Sequence, residues 1–278
     1  MTLSQATVAD VLTEARSAGI DRIDAQLLLC HALKRPRSWL VAHGDAVPDG
    51  PQLAWVRDGL RRRCSGEPLA YILGWQEFHG LLLAVDNGVL VPRPDTELIV
   101  DWALELLASV LVSVARPRVV DLGTGSGAIG LAVKHGRPGI DMLATDASAP
   151  ALAIARANAG VLGLRVRFVA GSWWQPLAGL RFHLALSNPP YIAAGDPHLP
   201  ALRHEPALAL TPGGDGLGAL REIVRDAANH LEAGGWLLLE HGFDQAPQVQ
   251  ALLREAGFSD VQTRIDLAGQ PRCTGAHR

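Results

Sequence analysis

The spacing of apolar residues divides the chain into a helical first part and a mixed second part. Apolar side chains recur at helical intervals over residues 8–18 and again after Asp24, which stands where it could cap a second helix. Pro51 opens a third helical pattern that runs through Leu60. No alternation typical of a strand interrupts this region. We therefore predict an all-helical domain over residues 1–75.

Residues 76–92 have a different pattern. Two short apolar runs, Leu81–Val85 and Val89–Val91, flank the Asn87-Gly88 step. An Asn-Gly step between apolar runs is a frequent hairpin turn, because both residues tolerate positive φ. We predict a β-hairpin that connects the helical domain to the rest of the chain.

Strand and helix patterns alternate over residues 93–278. The predicted helices are 97–114, a segment after Gly127, 148–162, 217–231 and 246–256. The predicted strands are 118–122, a segment ending near Asp146, 166–169, 182–186, 235–240 and one or two near the C-terminus, at about 272–278. Such alternation is typical of an α/β domain with a doubly wound, mostly parallel sheet, for which we expect seven strands.

The composition is that of a folded protein, and the charge argues against nucleic acid as a partner. Of the 278 residues, 48% are apolar and 19% are charged, which excludes a disordered chain. The net charge is −3, with 9 bases and 10 acids before residue 90 and 16 bases and 18 acids after it. Neither part has the basic excess that neutralises many phosphates, so we expect no stable binding to nucleic acid. The four arginines of residues 57–63 form either a solvated face or a partner-binding face.

The remaining composition indicates a reducing compartment. Residues 1–5 are polar and lack a basic segment followed by an apolar one, so we expect no signal peptide. No apolar run is long enough to span a membrane. Cys30, Cys64 and Cys273 are far apart and form no metal-binding spacing. We expect free thiols, no metal site, no membrane contact and a cytoplasmic location.

The first strand of the alternating region runs into a glycine-rich turn. The segment Asp121–Gly127 reads Asp-Leu-Gly-Thr-Gly-Ser-Gly. Alternate glycines let the backbone turn sharply and let a ligand approach the main chain. The spacing is neither the dinucleotide fingerprint nor a P-loop, which favours a ligand without a diphosphate. The candidate ligand-binding residues are therefore Gly123, Thr124, Gly125, Ser126 and Gly127.

Asp146 is the second candidate for this ligand site. It ends the next strand, 23 positions after Gly123, where a carboxylate can accept hydrogen bonds from both hydroxyls of a ribose. It could instead cap the helix that begins near Ser148. A glycine turn, a strand-end acid and no phosphate-binding device together indicate S-adenosylmethionine and a class I methyltransferase. Some dehydrogenases share this arrangement.

Asn188-Pro189-Pro190-Tyr191 directly follows the strand at 182–186. The prolines have no N–H to donate, so they end the strand ladder and stiffen the loop. The side-chain oxygen of Asn188 and the carbonyl of Pro189 could accept the two hydrogens of a planar NH2 group, and Tyr191 supplies a flat face. The two hydrogen bonds would raise the electron density on the nitrogen, which is a weak nucleophile, and would direct it toward a methyl donor.

The tetrapeptide therefore predicts methylation of an amino group, and a purely structural proline turn is the alternative. It does not distinguish a glutamine amide from the exocyclic amine of adenine.

Several segments together resemble the HemK/PrmC family, the N5-glutamine methyltransferases of peptide-chain release factors. The resemblance covers nearly the whole chain and rests on Gly66–Tyr71, Val91–Glu97, Asp121–Gly127, Asn188–Tyr191, Glu205-Pro206 and Glu240–Gly242. The Pro-Arg-Pro-Asp-Thr-Glu segment at residues 92–97 is the most family-specific of these.

The resemblance implies roles that the residues alone do not give. A helical domain that docks a class I release factor would precede a methyltransferase domain over residues 93–278. S-adenosylmethionine would be converted to S-adenosylhomocysteine, and the substrate would be the glutamine of a Gly-Gly-Gln motif, with the enzyme a monomer. The implied cofactor positions are Gly123–Gly127, Asp146, Trp173 beside the adenine, and Asn188. Catalysis would fall to Asn188, Pro189 and Tyr191, and substrate binding to these and Pro190, with residues 93–97 over the site.

Two other function classes remain. An N6-adenine methyltransferase of DNA or RNA could use the same tetrapeptide, but a base-flipping enzyme must grip a polyanion, and neither part of the chain is basic. A binding module without catalysis is disfavoured, because the glycine turn and the tetrapeptide are both intact.

Overall fold

The computed structural model describes residues 6–278, which form two compact units, one ending at Gly74 and one beginning at Trp75. The first five residues, on which the signal-peptide expectation depends, lie outside the described residues. Between residues 6 and 278, no helix is long and apolar enough to cross a membrane.

The first unit is helical throughout its described part, as the apolar spacing predicts. Its helices are α1 (Val8–Ser17), α2 (Arg22–Leu33), α3 (Arg37–Ala42), α4 (Gly50–Cys64) and α5 (Leu69–Leu73). The predicted cap of α2 is wrong. Asp21 caps this helix by accepting a hydrogen bond from the Ile23 N–H at 2.6 Å, and Asp24 lies inside the first turn, where it pairs with Arg63.

Two helices of this unit cross closely at a glycine. A Cβ atom on Gly59 of α4 would lie 2.9 Å from the Leu28 side chain of α2, so glycine permits the close packing here. The core around this crossing is made by fully or nearly fully buried residues, which include Val11, Leu28, Leu29, Val56 and Leu60.

The arginine cluster of residues 57–63 is neutralised within the same unit. Each of its four guanidinium groups pairs with a carboxylate, in the pairs Arg57–Glu14, Arg61–Asp58, Arg62–Glu67 and Arg63–Asp24. The cluster is thus a set of ion pairs and not an unbalanced cationic patch.

The second unit begins with the predicted hairpin, but its turn is not at Asn87-Gly88. Strands β1 (Trp75–Phe78) and β2 (Leu81–Ala84) pair antiparallel, and the two residues between them, His79 and Gly80, both have positive φ, of 49° and 77°. Positive φ at both positions is typical of a tight two-residue hairpin turn.

Side-chain contacts explain why the Asn-Gly prediction is wrong. The Asp86 carboxylate accepts a hydrogen bond from the Gly88 N–H at 2.8 Å, which forms a local turn beyond the paired strands. The His79 N–H donates to the Glu97 carboxylate at 2.8 Å, so a residue distant in sequence stabilises the turn that forms.

The remaining elements alternate as predicted, except that the four-residue helix α9 was not predicted. The helices are α6 (Glu97–Ala108), α7 (Ala128–Gly136), α8 (Ala149–Val161), α9 (Ala207–Leu210), α10 (Gly218–His230) and α11 (Ala246–Glu255). The strands are β3 (Arg118–Leu122), β4 (Asp141–Asp146), β5 (Arg167–Ala170), β6 (Phe182–Ser187), β7 (Leu231–Glu240), β8 (Ser259–Ile265) and β9 (Pro271–His277).

One predicted helix, 97–114, ends early. Helix α6 stops at Ala108, where the Ser109 hydroxyl bonds back to the Glu105 carbonyl at 2.7 Å. The following run contains the β-branched residues Val110, Val112 and Val114, which lose rotamer freedom in a helix.

The strands from β3 to β9 form the expected doubly wound, mostly parallel seven-stranded sheet. Its order is β5-β4-β3-β6-β7-β9-β8, in which the first five strands run parallel and β9 is antiparallel to both neighbours. The predicted C-terminal strand is confirmed as β9. Both faces of the sheet are buried: Val119 packs with residues of α6 and α7, and Val120 packs with residues of α10 and α11.

The register of the sheet brings three strand ends together. Leu122 at the end of β3 lies opposite Thr145 of β4 on one side and Ser187 of β6 on the other. The residues that follow, Gly123, Asp146 and Asn188, therefore leave the sheet at the same edge. Ligands of doubly wound sheets bind at the carboxyl ends of the strands, so this edge is the candidate site.

Candidate active site

A cavity of about 300 Å³ lies at this edge of the sheet. Most of the candidate residues of the sequence line it, namely Gly123, Thr124, Gly125, Ser126, Asp146, Trp173, Asn188 and Pro190. Gly127, Pro189 and Tyr191 do not contribute to the lining. Among residues 6–278 no group of three or more histidines, cysteines and carboxylates could hold a metal ion.

The glycine turn has a backbone that requires glycine. Gly123, Gly125 and Gly127 have φ of 72°, 56° and 88°, a region that other residues rarely adopt. The N–H groups of Gly123 and Thr124 both donate to the Thr145 carbonyl at 2.9 Å, which fixes the turn to the end of β4. The exposed main chain of the turn forms one wall of the cavity.

Asp121 supports the same turn from inside the sheet. Its Oδ2 accepts hydrogen bonds from the Thr124 hydroxyl at 2.6 Å and from the Gly130 N–H at 3.0 Å, and its Oδ1 is buried without a partner in the described chain. Burial raises the pKa of Asp121 to about 6. The sequence motif contains this residue but gives no sign of its structural role.

Asp146 faces the cavity and is not the cap of helix α8. Its two oxygens accept hydrogen bonds from the Gly125 N–H and the Ser148 N–H, each at 2.8 Å. The N-cap is Ser148, whose hydroxyl oxygen accepts from the Ala151 N–H at 3.3 Å, so the capping alternative for Asp146 is excluded. Burial raises the pKa of Asp146, and its carboxylate connects the turn after β3 to the loop after β4.

The two adjacent tryptophans face different surroundings. Trp173 lines the cavity, and a Cβ atom on Gly123 would lie 2.9 Å from its ring. Trp174 is buried in the core, where its indole N–H donates to the Ile223 carbonyl at 2.9 Å. The structure therefore places Trp173, and not Trp174, beside the glycine turn.

The tetrapeptide starts at the end of β6. Asn188 lines the cavity, and its Nδ2 donates to the Thr96 hydroxyl at 3.2 Å, which leaves the amide oxygen as the atom that can accept from a ligand. Pro189 is buried, and Pro190 lines the cavity beyond it. The Tyr191 hydroxyl points away to Glu240, whose Oε1 accepts from it at 3.4 Å.

Comparison with known proteins identifies the family. The family model of the PrmC N-terminal domain matches residues 6–74, and that of the methyltransferase small domain matches residues 96–262. The release factor glutamine methyltransferase of Bordetella pertussis (strain Tohama I) is 49% identical over 263 residues, which cover 93% of this chain and 96% of the relative. The chain belongs to the release factor glutamine methyltransferase family.

Other matches agree with this family. The release factor glutamine methyltransferase of Burkholderia pseudomallei (strain K96243) is 44% identical over 98% of this chain and 96% of its own length. Among solved structures, the T. thermophilus 16S rRNA methyltransferase RsmC, in complex with AdoMet and guanosine, aligns with a TM-score of 0.54 at 20% identity. That alignment covers 73% of this chain and 49% of RsmC, and at this identity it supports the fold alone.

The family-specific segment at residues 92–97 borders the cavity through Pro92, Arg93 and Thr96. Its position is set by Glu205, a buried carboxylate that pairs with the Arg93 guanidinium and accepts from the Val91 N–H at 3.1 Å. Sequence reasoning assigned Glu205 no contact, because its partners lie more than 100 positions away in the chain.

Glu240 is a second buried acid that sequence reasoning left without a role. It is 3% exposed, and burial raises its pKa to about 7. The charge of Arg272 and the hydrogen bond from the Tyr191 hydroxyl act in the opposite direction and lower the pKa, and Glu240 Oε2 is buried without a hydrogen-bond partner in the described chain. Because Tyr191 is the last residue of the tetrapeptide, this hydrogen bond connects Glu240 to the loop that carries Asn188. In the sequence, the signal for this residue is the Glu240-His241-Gly242 motif.

Proposed function

We propose that the chain transfers a methyl group from S-adenosylmethionine to the side-chain amide nitrogen of the glutamine in the Gly-Gly-Gln motif of class I release factors. Family membership supports this substrate. The observation that carries the chemistry is the pairing of β3 with β6, because it puts the glycine turn and Asn188 on adjacent strand ends. A cofactor site and an amide acceptor therefore share one cavity.

The residues present fit S-adenosylmethionine. The glycine turn offers bare backbone, the Asp146 carboxylate lies where it could accept from ribose hydroxyls, and the Trp173 ring offers a flat surface for adenine. Gly123–Gly127, Asp146 and Trp173 would hold the cofactor. When bound, it supplies a methyl group on a positively charged sulfur.

The residues of the chain itself would orient the glutamine NH2 group. The Asn188 side-chain oxygen and the Pro189 carbonyl would each accept one hydrogen of the glutamine NH2 group. These hydrogen bonds raise the electron density on a nitrogen whose lone pair is delocalised, and they aim it at the methyl group. Pro190 and Tyr191 would complete the substrate site. A strong base is not required, because the methylated amide nitrogen is acidic enough to lose its proton to water.

The helical unit that ends at Gly74 would dock the release factor. Because the arginines of residues 57–63 are paired with carboxylates, we propose that docking depends on shape and on both charge signs, and not on a cationic patch. We further propose that the enzyme acts as a monomer, without a metal, and in the cytoplasm, where translation termination takes place.

The decisive experiment offers three substrates to the protein together with S-adenosylmethionine: a release factor, duplex DNA and an RNA hairpin. Mass spectrometry should find one added methyl group, on the glutamine of the Gly-Gly-Gln motif. Methylation of adenine without methylation of the glutamine would refute the proposal.

The variant Asn188→Ala tests the acceptor role. We expect turnover to fall by about two orders of magnitude, the usual effect of removing one preorganised polar group, with the fold intact. Asn229→Ala, at an exposed position of α10, is the matched control and should keep full turnover. Near-normal turnover of Asn188→Ala would contradict the role of its amide oxygen.

A further inference from the structure

The last residue of the tetrapeptide is held by a glutamine that does not line the cavity. The Gln245 Nε2 group donates a hydrogen bond to the Tyr191 carbonyl at 2.9 Å, and the Gln245 Oε1 atom accepts one from the Gly242 N–H at 2.9 Å. Because the Gly242 N–H can only donate, it binds the oxygen side of the amide and leaves the NH2 side for Tyr191. Gln245 thus connects the tetrapeptide to the Glu240-His241-Gly242 motif, a segment that the proposed function leaves without a role.

The position of Gln245 in its helix does not explain these contacts. Gln245 is the N-cap residue of α11, where a short side chain such as Ser, Thr, Asp or Asn usually accepts a hydrogen bond from the first turn. In the described chain, the Gln245 side chain makes no such bond. Its amide instead contacts Gly242, on which a Cβ atom would lie 3.1 Å from the Gln245 oxygen. The side chain of Gln245 therefore binds the tetrapeptide and does not cap the helix.

A second close contact meets the same carbonyl group. Gly216, in the loop before α10, has a φ of 81°, and a Cβ atom there would lie 2.3 Å from the Tyr191 oxygen. That distance is well below van der Waals contact, so any residue other than glycine would displace the carbonyl. Gly216 and Gln245 therefore pack against the same main-chain oxygen.

The two prolines make this end of the tetrapeptide important for its placement. They have no N–H, so neither can donate a main-chain hydrogen bond that would fix the middle of the loop. At its start, the loop is fixed by the pairing of β6 with β3 and by the Ser187 hydroxyl, which donates to the Leu122 carbonyl at 2.7 Å. At its end, the Tyr191 carbonyl bonds to Gln245. Asn188 and the proline after it, the two proposed acceptors, lie between these anchors.

We propose that Gln245 is a positioning residue for methyl transfer, which holds the end of the tetrapeptide so that the Asn188 oxygen and the Pro189 carbonyl face one NH2 group. Gly216 leaves room for the Tyr191 carbonyl to lie where Gln245 binds it. Gln245 does not need to touch the substrate or the cofactor, since it acts through the loop. The name of the reaction rests on the proposed function, whereas the placement of the loop rests on these contacts alone.

The kinetic test replaces only the NH2 group of the Gln245 amide. Gln245→Glu keeps an oxygen for the Gly242 N–H, but an ionised carboxylate cannot donate to the Tyr191 carbonyl and repels it. We expect kcat to fall about tenfold or more, as for a misplaced reacting group, with KM and the Kd for S-adenosylmethionine within about threefold of wild type. Equal kcat for wild type and Gln245→Glu would overturn the proposal, as would a comparable loss of cofactor affinity.

Gln250→Glu is the matched control, because it makes the same chemical change in the same helix. The Gln250 amide donates to the Thr263 hydroxyl of β8 at 2.8 Å, and neither residue lines the cavity. Both variants lose one hydrogen-bond donor, but only Gln245→Glu should lower kcat. A fall in kcat of Gln250→Glu as large as that of Gln245→Glu would show that kcat follows the packing of α11 in general, and it would overturn the proposal.

Two glycines in the loop before α10 test the close contact with the carbonyl. Gly216→Ala places a methyl group against the Tyr191 oxygen, whereas a Cβ atom on Gly213, which has a nearly equal φ of 80°, meets no atom within 4 Å. Backbone strain is thus matched, and only Gly216→Ala should lower kcat, by about tenfold or more. Equal kcat for Gly216→Ala and Gly213→Ala would overturn the role of this contact. Gln245→Glu, which introduces no steric clash, decides the proposal if Gly216→Ala does not fold.

Hydrogen exchange tests the placement of the loop without turnover. The Ile192 N–H follows Tyr191 and donates to the Leu210 carbonyl at 3.0 Å, so it reports on the end of the tetrapeptide. Its exchange, measured by NMR, should be about tenfold faster or more in Gln245→Glu than in wild type and in Gln250→Glu. Unchanged exchange in Gln245→Glu would overturn the proposal. A wild-type protein that never methylates glutamine would refute the proposed function, but this exchange rate would still decide the role of Gln245.

Discussion

Two carboxylates secure the glycine turn from opposite sides. Asp121 binds it from the interior of the sheet through Thr124 and the Gly130 N–H, and Asp146 binds it from the cavity through the Gly125 N–H. Both carboxyl groups are buried enough to raise their pKa values. The two residues nevertheless differ in what their removal should change, because only Asp146 lines the cavity.

Asp121 should make the stability of the protein depend on pH. Its pKa is about 6 in the folded state and has its ordinary value of 3.8 in the unfolded chain, so between these pH values the folded state binds more protons than the unfolded state. The free energy of unfolding therefore falls as pH rises from about 4 to about 6, by on the order of 3 kcal/mol from this group.

Urea denaturation of wild type and Asp121→Asn at several pH values measures this effect, because asparagine does not titrate. The variant should gain stability relative to wild type as pH rises through this range. A difference that stays constant with pH would contradict the raised pKa of Asp121.

Substitution of Asp146 should act on cofactor binding. Asp146→Ala removes the acceptor proposed for the ribose and releases the Gly125 N–H, so we expect the affinity for S-adenosylmethionine to fall about tenfold or more by calorimetry. Asp141→Ala, at the opposite end of the same strand and outside the cavity, should leave the affinity unchanged. Equal affinities for the two variants would refute the ribose contact.

At the scale of elements, the turn between β3 and α7 joins the sheet to the cavity through glycines that serve different purposes. All three have positive φ, but their surroundings differ. A Cβ atom on Gly123 would meet the Trp173 ring, whereas one on Gly125 would meet no atom within 4 Å. Gly123 therefore allows both an unusual backbone and close contact with a cavity residue.

This difference gives a paired test. Gly123→Ala should displace the Trp173 ring as well as strain the backbone, and we expect cofactor affinity to fall about tenfold or more. Gly125→Ala carries the same kind of backbone strain, of about 1–2 kcal/mol, without a steric clash. Thermal unfolding of both variants measures the loss of stability caused by backbone strain, separately from the loss of cofactor affinity. Equal losses of affinity in the two variants would show that the contact with Trp173 is unimportant.

Helices and strands of this chain could be predicted where the local pattern of apolar residues agrees with the packing in the folded protein. Strands β3 and β6 are mostly apolar runs buried on both faces, and the sequence predicts both, at 118–122 and 182–186. The hairpin turn could not be located in this way, because Asn87-Gly88 is the stronger local signal. His79-Gly80 forms the turn instead. The His79 N–H donates to Glu97 and the Gly80 N–H donates to Glu77. Because Glu97 is the first residue of α6, the contact with His79 requires that α6 packs beside the hairpin.

At the scale of the whole molecule, the candidate site combines what the sequence could and could not predict. The glycine turn, Asp146 and Asn188 lie at the carboxyl ends of neighbouring parallel strands, so the predicted sheet is enough to bring them together. The contact between Asn188 and Thr96 joins residues 92 positions apart, and no periodicity or local motif encodes it. Contacts of this kind arise only when distant parts of the chain pack together, so the local sequence does not predict them.

The distribution of charge also depends on tertiary structure. The cavity is lined by a single cationic residue, Arg93, whose guanidinium is paired with Glu205. A separate cleft is lined by five cationic residues and one acid, namely Arg116, Lys134, Arg156, Arg165, Arg167 and Asp141. Arg116 precedes β3 and Asn188 follows its parallel neighbour β6, so this cleft lies at the opposite edge of the sheet, about 16 Å away along a five-residue strand.

Because the cations are remote from Asn188, methyl transfer should not depend on phosphate contacts. We expect kcat/KM for a release factor to change less than about tenfold between 50 and 200 mM salt, whereas an enzyme that grips six or more phosphates would lose about a thousandfold or more. The double variant Arg116→Ala/Arg165→Ala should keep kcat/KM within about twofold of wild type, as should the control Arg225→Ala on α10. A steep salt dependence that disappears in the double variant would contradict this prediction, because it would show that the cationic cleft takes part in binding the release factor.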